Sequence, residues 1–229
     1  MNKIQLIPII LLFAAGQLTS QSAEPFRFGV SIYPNYNNTS TSKQYSQIIG
    51  KTKGRVGYTF GLFSEKQLST HWRIRVGLNY AVVGFQDQEH SFTWGSEYST
   101  GTYVPDPTLA RKGYFIHEYQ YIGIPIDVHF ILQSGKSFFL SAGVAPLIQI
   151  RSNTISVLSY QYGHTVRKKS VQSTNDTQIG LHVGAGFSAP VYKKLILDIQ
   201  PDFRVSRVVS TSFLGLRWFQ LGINFGLKI

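Results

Sequence analysis

Trp218-Phe219-Gln220-Leu221-Gly222-Ile223-Asn224-Phe225-Gly226-Leu227-Lys228-Ile229 closes the chain, and its reading decides the fold. Phe219, Leu221, Ile223, Phe225, Leu227 and Ile229 share one parity, while Trp218, Gln220, Gly222, Asn224, Gly226 and Lys228 share the other. Successive side chains of a strand point to opposite faces, so this segment has one oily face and one small or polar face. A strand built in that way lies between lipid and a polar lumen.

Seven earlier stretches repeat the pattern. Phe26, Phe28, Val30 and Ile32 alternate with Arg27, Gly29, Ser31 and Tyr33, and Asn35 to Lys53 reads as a polar loop. Val56, Tyr58, Phe60 and Leu62 alternate with Arg55, Gly57, Thr59 and Gly61, followed by a short connection over Ser64 to Thr70. Trp72, Ile74, Val76, Leu78 and Tyr80 then oppose Arg73, Arg75, Gly77, Asn79 and Ala81, before a long loop from about Gln86 to Gly113. In the fourth stretch Ile122, Ile124, Ile126, Val128 and Phe130 point outward, against Tyr119, Tyr121, Gly123, Pro125, Asp127 and His129, with a tight turn at Gln133 to Lys136.

The fifth carries Phe138, Leu140, Ala142 and Val144, continues through Ile148 and Ile150, and leads into a loop from Arg151 to Asp176. The sixth sets Ile179, Leu181, Val183, Ala185 and Phe187 against Gly180, His182, Gly184, Gly186 and Ser188, and turns at Tyr192 to Lys194. In the seventh, Leu195, Leu197, Ile199 and Phe203 face Asp198, Gln200, Asp202 and Arg204, with Arg207 to Gly215 connecting to the last strand. Short turns follow the even strands and long loops the odd ones. The expected fold is all-β, an eight-stranded antiparallel up-and-down transmembrane barrel with periplasmic short turns and extracellular long loops.

Composition agrees. Charged residues make up 14% of the 229 residues and aromatics another 14%, with 21 glycines, so small residues can relieve crowding inside while aromatics mark the membrane interfaces. A mean hydropathy near zero follows from the alternation itself. The chain has no cysteine, which excludes a disulfide framework, a thiolate metal site and a lipobox anchor. Asn2 and Lys3 precede an apolar run from Ile4 to Ala15, the form of a secretory signal peptide over residues 1–23, with cleavage after Gly16, Ser20 or Ala23. Residues 24–229 then form one barrel domain. No later segment has the roughly 18 apolar residues of a transmembrane helix.

The run Tyr121-Ile122-Gly123-Ile124-Pro125-Ile126-Asp127-Val128-His129-Phe130 resembles the tyrosine, apolar, x, apolar, proline, apolar strand of the small outer-membrane β-barrel domain family that includes PorT-like proteins. Ala142-Gly143-Val144-Ala145-Pro146, Gly180 with Gly184-Ala185-Gly186, and Leu221-Gly222-Ile223 add to the likeness, which spans nearly all of the mature chain. Gly123 and His129 depart from the family's usual glutamate and basic residue, and the last residue is Ile229 rather than an aromatic. The resemblance implies an outer-membrane barrel. It implies no single activity, because its members do not share one.

Arg27, Arg55, Arg73, Arg75, Asp127, Asp198, Asp202, Arg204 and Lys228 all have lumen parity and are expected to pair inside a filled barrel, since unpaired buried charge is costly. His117, His129 and His182 share that parity without the spacing of a metal site, so no cofactor is expected. A lipid A-modifying enzyme would need a serine, a histidine and an acid brought together, and no His-x-Ser pair lies on any strand. The net charge of +11 points to anionic lipid rather than nucleic acid in an exported barrel. Lys51, Lys53, Arg167, Lys168 and Lys169 are the candidate lipopolysaccharide contacts, the alternative being that scattered cations simply keep the loops soluble. The expected function is a structural or interaction role in the outer membrane. The alternatives are an accessory component of protein secretion with a partner at the periplasmic turns, and a secreted lipocalin-like barrel that would reverse the parity.

Overall fold

The last strand pairs with the first, and that pairing closes the sheet into a ring. In the computed structural model, which describes residues 26–40, 51–92, 95–97, 103–105, 108–132, 138–160, 162–172, 176–208 and 217–229, the wall is built from β1 (Arg27–Ser40), β2 (Thr52–Gln67) and β3 (Trp72–Asp87). After β4 (His90–Ser91), β5 (Gly95–Glu97) and β6 (Tyr103–Pro105) come β7 (Ala110–Gly123), β8 (Ile126–Ile131), β9 (Phe138–Tyr160) and β10 (Thr165–Gln172). The wall continues with β11 (Thr177–Tyr192), β12 (Leu195–Val208) and β13 (Arg217–Lys228). Every neighbour pair is antiparallel, and β7 with β8 forms one stave, so the ring has eight. The expected signal peptide, with its cleavage positions, and the turn at Gln133 to Lys136 lie outside the described residues, as does most of Arg207 to Gly215.

Face assignment follows the expected parity. Phe28, Val30 and Ile32 are exposed on β1 and Tyr33 is buried; on β13, Leu221 is 64% exposed and Trp218 and Lys228 at most 1%. A soluble ligand-binding barrel would have the opposite arrangement, with its apolar side chains inside, so the lipocalin-like alternative is set aside. The outer band runs from Trp72, tilted against Phe130 at 4.9 Å, to Tyr80 on the same strand. Eight residues rise about 26 Å along a strand, the scale of the apolar belt of an outer-membrane barrel.

The staves are longer than the alternation suggests. Asn35 to Ser40 extend β1 instead of opening a loop, with Asn35 and Asn37 turned inward and buried. At the other end of β2, Ser64 to Gln67 belong to the strand. β3 runs to Asp87, and the long connection beyond it contains β4 and the hairpin β5–β6. The segment from Arg151 to Asp176 is mostly a β-hairpin: β9 continues to Tyr160 and β10 pairs along it from Thr165↔Ser159 to Gln172↔Ser152. Above the lipid belt the outward face of a strand no longer meets lipid, so pairing continues where the apolar period has stopped, while the inward face stays buried. Pro125 has no amide proton and divides the fourth stave into β7 and β8; its carbonyl still accepts from Gly77 N at 3.0 Å.

Candidate functional site

The lumen is occupied in three levels, each produced by the register of facing strands. At the short-turn end Glu65 lies directly across from Arg75, and Gln67 from Arg73. Arg75 donates to Glu65 Oε2 through Nε at 3.2 Å and Nη2 at 2.7 Å, and to Asp198 Oδ2 through Nη2 at 2.5 Å. Lys228 Nζ reaches Glu65 Oε1 at 2.7 Å and Asp198 Oδ2 at 2.8 Å, and Arg73 Nη1 reaches Glu65 Oε1 at 3.1 Å. Ser188 Oγ donates to Asp198 Oδ1 at 2.7 Å. Two carboxylates thus bridge three cations, all five nearly inaccessible to solvent. Aromatic faces complete the level: the Arg75 guanidinium lies 4.1 Å from the Phe63 ring centre, and His129 stacks on Phe139 at 4.8 Å.

At mid-height, His182 Nε2 lies 3.2 Å from Asp127 Oδ1, Arg204 Nε donates to Asp202 Oδ2 at 2.8 Å, and the Tyr33 hydroxyl donates to the Asp202 carbonyl at 3.1 Å. Arg204 covers the Tyr33 ring at 3.9 Å. A cavity of about 60 Å³ remains among these side chains, with Asn79, Gln220 and Asn224 on its wall. It has room for only a few water molecules.

The pair at Asp127 depends on Gly143 opposite it in β9. A Cβ there would meet the His182 ring carbon Cε1, Asp127 Oδ1 at 2.6 Å and the Ile126 carbonyl at 2.7 Å. Gly143→Val is therefore expected to destabilise the barrel by about 1–3 kcal/mol. Gly180→Ala, where a Cβ meets nothing closer than 3.5 Å, should be tolerated. Denaturant unfolding in detergent micelles checks the pair, and equal midpoints for the two variants would refute the packing argument.

Towards the long-loop end, Trp218, Phe85, Val83, Ala81 and Tyr121 form an apolar cluster, with Tyr119 against Trp218 at 5.3 Å. Gln178 Nε2 donates to the Tyr121 hydroxyl at 2.6 Å, which donates to Gln149 Oε1 at 3.3 Å. Beside them, His117 connects Asp87 Oδ2 at 3.2 Å to Thr154 Oγ1 at 3.4 Å and stacks on Phe85.

Of the expected lumen charges, Arg73, Arg75 and Asp198 meet in the lower level, with Lys228, and Asp127, Asp202 and Arg204 lie in the middle one. Arg27 is half-buried and faces Glu65 across β1–β2. Arg55 is also half-buried but stands at the opposite end of β2, beside the irregularity between Gly54 and Tyr58, where its carbonyl accepts from Asn37 Nδ2 at 3.3 Å. The residue missed from the sequence is Glu65, the acid that three cations share, because Ser64 to Thr70 reads as a connection. Continuing the lumen parity of Arg55, Gly57, Thr59 and Gly61 by two more steps reaches it. The three lumen histidines pack or bond separately, and no group of three metal-ligating His, Cys, Asp or Glu side chains occurs among the described residues. Lys51, Lys53, Arg167, Lys168 and Lys169 are all exposed.

Among solved structures, Neisserial surface protein A covers 90% of this chain and 100% of its own at 12% identity and a TM-score of 0.46. Ail of Yersinia pestis covers 90% and 100% at 11% identity and a TM-score of 0.41. The outer membrane protease OmpT from Escherichia coli covers 92% and 99% at 10% identity and a TM-score of 0.43. No curated protein sequence matches. The sequence profile of the outer membrane protein beta-barrel domain matches residues 17–213, and with the closed eight-stave ring this places the chain in the cell outer membrane, as a member of the outer membrane protein β-barrel domain family.

Proposed function

We propose that this protein is a structural or interaction component of the outer membrane whose lumen is plugged and whose contacts are made at its surfaces. The observation that carries this reading is the buried cluster of Glu65, Asp198, Arg73, Arg75 and Lys228, which fills the short-turn end of the barrel. Each ion there depends on its partners for the solvation it has lost, so they lock one another in place. The aromatic level around Trp218 closes the other half. Export by the signal peptide over residues 1–23 and contact of Lys51, Lys53 and the basic hairpin with lipopolysaccharide belong to the same reading.

Catalysis is left out of it. Among the described residues the acid–histidine–hydroxyl chain Asp87–His117–Thr154 ends on a secondary alcohol within the β3–β7–β9 wall, with the imidazole stacked on Phe85. The mature protein in planar bilayers is expected to show no stable conductance beyond brief small openings, because eight strands enclose only a side-chain-filled interior. A large, steady porin-like conductance from the monomer would refute the plug. The secretion-accessory alternative would put a partner at the short turns, such as Leu68–His71 and Lys193–Lys194; co-purification of a second protein that is lost on altering those turns would move the assignment there.

A further inference from the structure

We propose that the outer face of the β7–β9–β10 sheet binds the phosphorylated saccharide of lipopolysaccharide through a row formed by Arg151, Lys169 and Arg167, and that Lys168 takes no part. The inference rests on the reading above that the long connections face outside the cell.

The row is created by one irregularity in β9. Gln149 pairs with Tyr121 and Arg151 with Gln120, so Ile150 is an extra residue and the parity of the strand reverses there. Below it the outward side chains are Ile148 and Ile150; above it Arg151, Ile155 and Val157 take that side, with Asn153 at the same parity but buried against Arg151 and Glu118, while Thr154 turns inward to His117. The apolar belt thus passes into charge within a single residue. β10 takes its orientation from this register: Lys169 pairs with Ile155 and Arg167 with Val157, on the outer face, whereas Lys168 pairs with Ser156 on the lumen side.

Arg151 is held in place, donating to Asn153 Oδ1 at 3.1 Å while Asn153 donates to Glu118 Oε1 at 2.8 Å. Between Arg151 and the two cations above it, Ile155 and Val157 form a half-buried apolar floor on which a sugar ring can lie.

Height selects the ligand. Lys169 stands four residues above Arg151 and Arg167 six, about 13 and 20 Å along the strand. The polar layer of a bilayer adds only about 5–8 Å beyond each side of the hydrocarbon core. A phospholipid phosphate therefore reaches Arg151 and neither of the others, even allowing for strand tilt. An anionic lipid that carries charge upward on a saccharide reaches all three.

The test uses the full mature chain in phosphatidylcholine nanodiscs, titrated with lipopolysaccharide, with the same material after phosphatase treatment, and with phosphatidylglycerol. Each cation near an anionic surface is worth on the order of a fivefold change in affinity, so the triple variant R151Q/R167Q/K169Q is expected to lose on the order of a hundredfold for intact lipopolysaccharide. K168Q should stay within about twofold of the parent. Phosphatidylglycerol should respond to R151Q and not to R167Q or K169Q. An equal loss in K168Q, or equal binding of phosphatase-treated material, would overturn the row. Because the chain has no cysteine, Ser170→Cys provides a single thiol for an impermeant reagent on intact cells. Labelling from outside with unchanged binding in the triple variant would sink the row alone; labelling only after cell disruption would sink the orientation beneath it.

Discussion

Replacing Glu65 with glutamine is expected to cost the folded barrel about 3–5 kcal/mol, the loss seen when one member of a buried ion cluster is removed. Glu65 is 2% exposed and accepts from Arg73, Arg75 and Lys228. Without its charge, Asp198 would be left to balance three buried cations. Glutamine keeps the volume, so the loss reports charge rather than packing. The control is Glu89→Gln, whose carboxylate lies 3.8 Å from Lys112 Nζ with both side chains more than half exposed; a surface pair of that kind contributes at most about 1 kcal/mol. Guanidinium unfolding of the two variants in micelles decides the matter. If Glu65→Gln unfolds at the parent midpoint, the cluster is not what holds the short-turn end together.

The second large effect is expected at the lipid face of β13. Arginine at Ile223 should cost about 2–4 kcal/mol and reduce the inserted fraction, because a charge near the bilayer midplane has no water to solvate it. Ile223 lies in the middle of the outward series from Phe219 to Ile229 and is 43% exposed on the lipid side. Leu221→Arg should cost less, since its register partner is Tyr36, near the aromatic end of the belt, and a long side chain can reach the interface from there. Gln220→Ser, on the lumen side, should change stability by no more than about 1 kcal/mol. Heat-modifiability on gels and protease resistance in isolated membranes measure all three. Equal tolerance at positions 220 and 223 would mean that inside and outside have been exchanged.

The contrast between positions 223 and 220 was legible in the sequence because lipid contact writes a period of two into a strand. Phe219 to Ile229 show it without interruption, and the same parity placed Arg73, Arg75, Asp198 and Lys228 in the lumen before any contact was known. The eight-stave ring follows from counting such stretches. Where a strand leaves the lipid its outward face is no longer required to be apolar and the period vanishes, so the extracellular ends of β1 and β3 and the whole β9–β10 hairpin read as loop although their backbones are paired.

Alternation along β2 stopped being apolar at Ser64, and Glu65 was lost with it, even though its parity was right. Facing residues were equally out of reach. Nothing in the chain states that Glu65 stands across from Arg75, or that Asp198, 123 positions later, completes the same cluster; the shear of the closed ring decides that. By itself the sequence determined the fold, the location and the sign of each face within the lipid belt, because these depend on the alternation of the separate strands and on their solvent. Only the tertiary structure decided which charges meet, where the barrel is plugged and that the extra residue at Ile150 turns Arg151, Lys169 and Arg167 to one side, because those depend on register between strands, which no single strand encodes.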